Sequence, residues 1–344
     1  MPKKTIKVKF VGFWPGFKPE KELFFKILNR KYDVQITEEP DYIFCSCFAN
    51  RFYFDYCNYS QIRIMFSGEN YTPDFNLVDY AISRYPIKFF DRNFYLPGCF
   101  DHKLDYPIEL ENKKRDYDKS ILEEKIYFAN FIASHDSEYN IRGDFCKKLA
   151  EYKRVECPGT YLNNMVEKED ISWEDGSKVG FQRKCKFSLC FESTSNLGFT
   201  TEKIVDAFYA DTIPIYYGNP DIDSIFNPKA FVDISKFSNW DEAIKYIINV
   251  DQNDDDFLSM LREPIFVENN CVSKKYAELE AFFDNIFSQP YDEAFRRSRC
   301  FHAGSINDYL KECNSIQQKE YQREVKNNQK LVNRIKARIN RIKK

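Results

Sequence analysis

The chain reads as an α/β protein of two domains, each a parallel sheet covered by helices. Three observations predict this. Its 344 residues give room for two domains of ordinary size. Apolar runs of strand length alternate with helical periods in both halves. Between the halves, Glu109 to Lys119 is a charged interruption with almost nothing to bury, which marks a domain boundary. The expected units are residues 1–115, residues 120–310 and a C-terminal tail, 311–344.

In the first unit, Thr5 to Val11 alternates Lys with apolar residues and runs into Gly12-Phe-Trp-Pro-Gly16, an opening strand ending in a loop. Glu20 to Lys31 follows with Leu23, Phe24, Ile27 and Leu28 at helical spacing. Asp41 to Phe48, Gln61 to Phe66 and the short Asp79 to Ser83 are further apolar runs of strand length. Lys125 to Ile132 opens the second unit as a strand. Asn140 to Tyr152 then predicts a helix with Phe145, Leu149 and Tyr152 on one face. From Phe187 the chain reads as a buried strand, a polar loop, a helix beginning at Glu202-Lys203 and a second strand running into Tyr217-Gly-Asn-Pro220. A strand at Ala230 to Ile234 and a helix from Trp240 to Val250 follow. No internal repeat of 20–50 residues is present.

Composition narrows the class. Charged residues make up 30% and hydrophobic residues 43%, the balance of a folded, soluble chain rather than a disordered one. The 33 Phe and 23 Tyr are spread throughout, which favours core packing over a dedicated aromatic cleft. The eleven cysteines are an odd number and the N-terminus lacks the apolar core of a signal peptide. Free thiols in a reducing compartment are expected, hence a cytoplasmic protein. Cys45 and Cys47 share one face of a strand without a second close pair, so buried thiols are favoured over a zinc site. Without a secretory signal, the sequons at Asn58 and Asn70 carry no meaning. No run of about 18 apolar residues is present to span a membrane.

The net charge of −2 conceals an asymmetry. From Lys319 to Lys344 ten Lys and Arg face two Glu, a tail of +8 that leaves −10 for the rest. Leu331, Ile335, Ile339 and Ile342 form one stripe of this tail, a basic amphipathic helix suited to an anionic membrane surface such as the inner face of a membrane. Coiled-coil pairing into a homodimer and non-specific nucleic-acid binding are the competing readings. A specific nucleic-acid contact is not expected.

The strand, loop, helix and strand around Phe187 to Pro220 are how open α/β sheets build a phosphate pocket, and the layout suggests a nucleotide-sugar site. Lys203 in a first helical turn and Arg142 opening the earlier helix are suited to a diphosphate. Taken alone, a Lys in a first helical turn is more often a solvated surface charge. Glu69, after Gly68 at a predicted strand end, could accept a proton from a sugar hydroxyl, or simply be held in a turn. Glu202 alone would be read as a helix N-terminal carboxylate. The three histidines are too far apart to form a ligand set. Asp221-Ile-Asp223 formally matches a metal-holding Asp-x-Asp, but it lies in a turn, and a metal role is not expected. Asp254-Asp-Asp256 reads as a helix-capping run.

Phe191-Glu-Ser193, Thr201-Glu-Lys203 and Ile213-Pro-Ile-Tyr-Tyr-Gly218 together resemble the donor-binding signature of the α-1,3/4-fucosyltransferases, glycosyltransferase family 10, of bacterial type. Gly68-Glu-Asn70, followed by Pro73, Asn76 and Asp79-Tyr-Ala-Ile82, adds to the likeness, which runs from about Val8 to about Phe257. The resemblance implies a GT-B fold, two Rossmann-like domains facing across a cleft, with residues 1–115 binding the acceptor and 120–310 binding GDP-fucose. It implies inverting transfer of fucose to the 3-hydroxyl of N-acetylglucosamine in a Lewis-type or N-acetyllactosamine acceptor, with no obligatory cofactor beyond the donor.

By the same resemblance Glu69 is the base, Glu202 contacts the fucose, and Arg142 and Lys203 hold the diphosphate. Ser134 lies near the nucleotide, beside His135 where relatives have Asn. Ser193 and Phe199 replace an Asn and a Tyr of relatives, departures that remove polar reach and leave Asn196 or Thr200 to supply it. The rival readings are an inverting transferase using another nucleotide sugar, and a catalytically silent carbohydrate-binding protein of the same fold.

Overall fold

A computed structural model of the protein describes residues 2–48, 54–102, 105–137, 139–165, 171–172 and 175–342, without the side chains of residues 331 and 333–342. The tail stripe of Leu331, Ile335, Ile339 and Ile342 therefore lies outside the described side chains.

The first sheet contains β1 (Lys4–Val11), β2 (Tyr32–Ile36), β3 (Tyr42–Cys45), β4 (Ile62–Phe66), β5 (Tyr80–Ser83) and β6 (Asn93–Tyr95) in the order β2-β1-β3-β4-β5-β6. Every pairing is parallel. β4 and β5 are buried at every residue, the polar Arg63 and Ser83 included, and the rest of each strand is the apolar run seen in the sequence. β2 is an edge strand with Asp33, Gln35 and Ile36 exposed, so it carries no such signal. Helix α1 (Leu23–Lys31) crosses from β1 to β2 and buries Leu23, Phe24, Phe25, Ile27 and Leu28.

Helices α2 (Tyr106–Glu111) and α3 (Ile121–Glu124) occupy the connection to the second sheet. That sheet contains β7 (Tyr127–Asn130), β8 (Val155–Glu156), β9 (Cys185–Phe191), β10 (Ile213–Tyr217) and β11 (Val232–Asp233), all parallel, in the order β11-β10-β9-β7-β8. It is joined by α4 (Ile141–Ala150), α5 (Ser177–Arg183), α6 (Lys203–Tyr209), α7 (Trp240–Gln252) and α8 (Asp254–Arg262). Asn253 caps α8 by accepting from the backbone of Asp255 and Asp256, so the Asp254–Asp256 run fills the first turn and the cap is the preceding Asn. Two Rossmann-like units facing across a cleft are the GT-B architecture.

The chain after residue 270 returns to the first sheet, although its position in sequence places it in the 120–310 unit. In α9 (Cys271–Ser288), Phe287 meets Tyr42 edge-on at 4.6 Å and the Tyr276 hydroxyl donates to the Phe100 carbonyl. After α10 (Tyr291–Ala294), Arg297 pairs at 3.0 Å with the fully buried Asp79. An amphipathic helix shows that it needs a sheet to cover, not which one, so sequence alone does not place it. Helix α11 (Phe301–Ile342) starts ten residues before the expected tail, and Gln318 in it bonds Asp55 of the first domain. Among the described residues no helix is long and apolar enough to cross a membrane.

Packed aromatic rings join the two halves. Phe100 meets Phe266, Phe266 stacks on Phe226, and Phe226 stacks on Phe208 of α6, at 6.0, 5.4 and 5.5 Å. They place α6 against the first domain and so fix one wall of the cleft.

Candidate active site

Two cavities meet in the cleft. One, about 810 Å³, opens among Ser134, Arg142, Ser193, Phe199 and Lys203 of the second domain. The other, about 790 Å³, lies mostly in the first domain among Trp14, Phe48, Phe66 and Arg84. Gly68, Glu69, Thr201 and Glu202 line both. The cavities therefore share a wall that carries two carboxylates.

The wall is held by contacts between the first domain and the 193–201 loop. Asn70 donates to the Thr194 hydroxyl at 2.8 Å, the Tyr95 hydroxyl to the Gly198 carbonyl at 3.0 Å, and the Cys99 backbone to the Thr200 carbonyl at 2.8 Å. This last approach leaves no room for a side chain at Gly98, whose Cβ would stand 2.6 Å from that carbonyl.

Glu192 is the carboxylate that organises the second-domain side, and sequence reading assigned it no role. It is 1% exposed. Its oxygens accept from the Thr201 backbone at 2.7 Å and from the Thr201 hydroxyl, and its Oε2 lies 3.1 Å from Lys203 Nζ. Its backbone carbonyl accepts from Arg142 Nε at 3.2 Å. One residue thus fixes both cations, and their confinement replaces surface mobility with order. The available signal was a Glu continuing straight out of the buried strand Phe187–Phe191, since a carboxylate there needs a cation.

Electrostatics separates the two carboxylates of the shared wall. Burial pushes Glu69 above the ordinary Glu value, Arg84 and Lys203 pull it back, and Glu202 adds to the rise. Glu202 is only partly enclosed, with its side chain 36% exposed; desolvation there opposes ionisation too, but Lys203 and Lys178 outweigh it and hold its carboxyl below the ordinary Glu value. Lys203 stays charged: burial works against it, and Glu192 and Glu202 raise it above the ordinary value. Neighbouring carboxyls whose environments differ in this way suit one as proton acceptor and the other as fixed negative charge.

The sequence candidates Glu69, Ser134, Arg142, Ser193, Phe199, Glu202 and Lys203 all line the second-domain cavity. Asn196 and Thr200 do not. The Asn196 carbonyl closes a turn by accepting from the Phe199 backbone, and the fully buried Thr200 hydroxyl accepts from Asn219. It is the next residue, Thr201, that reaches the cavity. In the Asp221-Ile-Asp223 turn, Asp223 pairs with Lys236 at 2.8 Å. Among the described residues no group of three or more His, Cys, Asp or Glu is arranged to hold a metal ion.

Both halves of the chain are similar to known proteins. Residues 8–100 match the family model of the alpha-(1,3)-fucosyltransferase FucT N-terminal domain, and residues 122–274 match that of the glycosyltransferase family 10 (fucosyltransferase) C-terminal region. The alpha-(1,3)-fucosyltransferase FucT of Helicobacter pylori is 30% identical over 296 residues, 75% of this chain, and the chain spans only 60% of that relative's length. A crystal structure of an α1,3-fucosyltransferase with GDP-fucose aligns with a TM-score of 0.68 and 26% identity, over 85% of this chain and 93% of that one. A structure with GDP aligns with a TM-score of 0.67 and 27% identity, over 83% and 91%.

Proposed function

The chain belongs to glycosyltransferase family 10, the fucosyltransferases, and from that membership we propose that it transfers L-fucose from GDP-fucose to the 3-hydroxyl of N-acetylglucosamine in an oligosaccharide. The diphosphate lies against Arg142 and Lys203, where two fixed cations stabilise the charge that develops as GDP leaves. The fucose reaches the shared wall, where the ionised Glu202 orients it and offsets positive charge at the anomeric carbon. The acceptor enters through the first-domain cavity over Trp14 and Phe48. Its hydroxyl oxygen forms the new bond on the face opposite the departing phosphate, with inversion, while its proton passes to Glu69. Two protein cations serve the diphosphate, so no obligatory cofactor is assigned. The basic end of α11 is assigned a peripheral contact with an anionic membrane surface.

The observation that supports this reading most is that Glu69 and Glu202 line both cavities while Arg142 and Lys203 line only one. Thermal unfolding with nucleotides, followed by a transfer assay, tests it. GDP should raise the melting temperature and UDP should not. Glu69→Ala should lose transfer to N-acetylglucosamine oligosaccharides while keeping the GDP shift. Protection by UDP alone would point to another nucleotide sugar.

A further inference from the structure

Beneath Glu202 lies a chain of buried polar side chains that the mechanism above does not use. Asp206, one turn further along α6 and 2% exposed, is held by two partners from different domains. His102 Nε2, from the first domain, lies 2.8 Å from its Oδ1. Lys178 Nζ, from α5, lies 2.7 Å from its Oδ2. His102 lines the first-domain cavity and Lys178 the second-domain cavity. The same ammonium approaches Glu202 Oε1 at 3.8 Å, and Lys203 Nζ approaches that oxygen at 3.9 Å.

Lys178 is 8% exposed, so its charge is poorly screened and its side chain has little freedom, unlike a surface pair. An ammonium shared by two carboxylates fixes the separation between them. Asp206, being anchored on its far side by His102, is the rigid end of that arrangement, and Glu202, whose side chain is 36% exposed, is the end that could swing. We propose that Lys178 is a positioning residue: clamped by Asp206, it holds Glu202 against the shared wall, and His102 ties this clamp to the first domain. The proposal rests on the reading that Glu202 orients the donor sugar. With its ammonium engaged by two carboxylates, Lys178 is not assigned to the diphosphate.

The test is Lys178→Met beside Lys178→Arg, with kcat and KM measured for GDP-fucose and GDP affinity measured by calorimetry. Lys178→Met should lower kcat on the order of tenfold to a hundredfold, the scale of a misplaced group, and leave the GDP Kd within about twofold. Lys178→Arg, which can still bridge both carboxylates, should recover most of kcat. If Lys178→Met melts too low for assay, Lys178→Met combined with Asp206→Asn leaves no buried carboxylate unpaired and carries the same expectation. Unchanged kcat in a folded variant, an equal loss in Lys178→Arg, or a loss that appears in GDP affinity instead of kcat would each overturn the proposal. A wild-type protein that binds GDP but never transfers fucose would instead remove the reading beneath it.

Discussion

Gly218→Ala changes no charge and touches no ligand-facing atom, yet it should weaken GDP binding. The φ of Gly218 lies outside the left-handed region, so alanine can adopt its backbone and the effect is steric. A Cβ there would stand 2.5 Å from Glu192 Cγ, 2.9 Å from Glu192 Cβ and 2.6 Å from the Tyr216 hydroxyl. Ordinary contact begins at 3.4 Å, so Glu192 must retreat by about 0.9 Å. A retreat of that size is enough to open the 3.1 Å contact with Lys203 beyond hydrogen-bond reach and to loosen the hold on Thr201. Overpacking of this kind costs roughly 1–3 kcal/mol of stability. Release of Lys203 should weaken GDP binding about tenfold, the equivalent of one charge-assisted hydrogen bond. Calorimetric titration with GDP beside a denaturant melt reads both. A variant that binds GDP as tightly as wild type, with an unchanged melt, would refute the claim that Glu192 organises the cations.

Three further expectations follow from the same geometry. Because burial raises the Glu69 carboxyl and a base must be ionised to act, kcat/KM should be present above that raised value and lost as pH falls through it. The acid limb should therefore lie above the ordinary Glu value of 4.5, and Arg84→Met should move it further up; a limb at or below 4.5 would exclude Glu69 as base. Arg297→Met removes the guanidinium from the buried Asp79, which keeps the backbone N–H groups of Arg63, Arg296 and Arg297, and should cost about 1.5–3 kcal/mol in a denaturant melt, whereas a loss below about 1 kcal/mol would show that the side-chain pair adds little to that backbone anchorage. Vesicles containing phosphatidylserine should sediment the full chain and release it at high salt, and a chain ending at residue 318 should stay in solution; equal sedimentation of both would remove the tail contact.

Legibility in the sequence followed how local each signal was. The central strands were visible because a parallel strand buried on both faces is mostly apolar, as in Ile62–Phe66, where only Arg63 interrupts the run. Edge strands such as β2 and two-residue pairings such as β8 have no such run. Glu69, Arg142 and Lys203 stood out because each follows a strand end or opens a helix. His102, Lys178 and Asp206 did not, since nothing in their separate neighbourhoods reveals that they meet. Thr200 and Thr201 are adjacent and chemically identical, and only backbone direction decides that the first faces Asn219 and the second the cavity. The return of α9 to the first sheet was hidden for a similar reason, because helical periodicity defines a face and leaves its partner open.

The most direct measurement is the product itself. Wild type and Glu69→Gln should be incubated with GDP-fucose and an N-acetylglucosamine-containing oligosaccharide, and the product linkage read by NMR. The account predicts a fucose on the 3-hydroxyl with inverted anomeric configuration, and a rate for Glu69→Gln lower by about 10²–10⁴-fold with GDP still bound. A retained configuration, or undiminished transfer by Glu69→Gln, would contradict it.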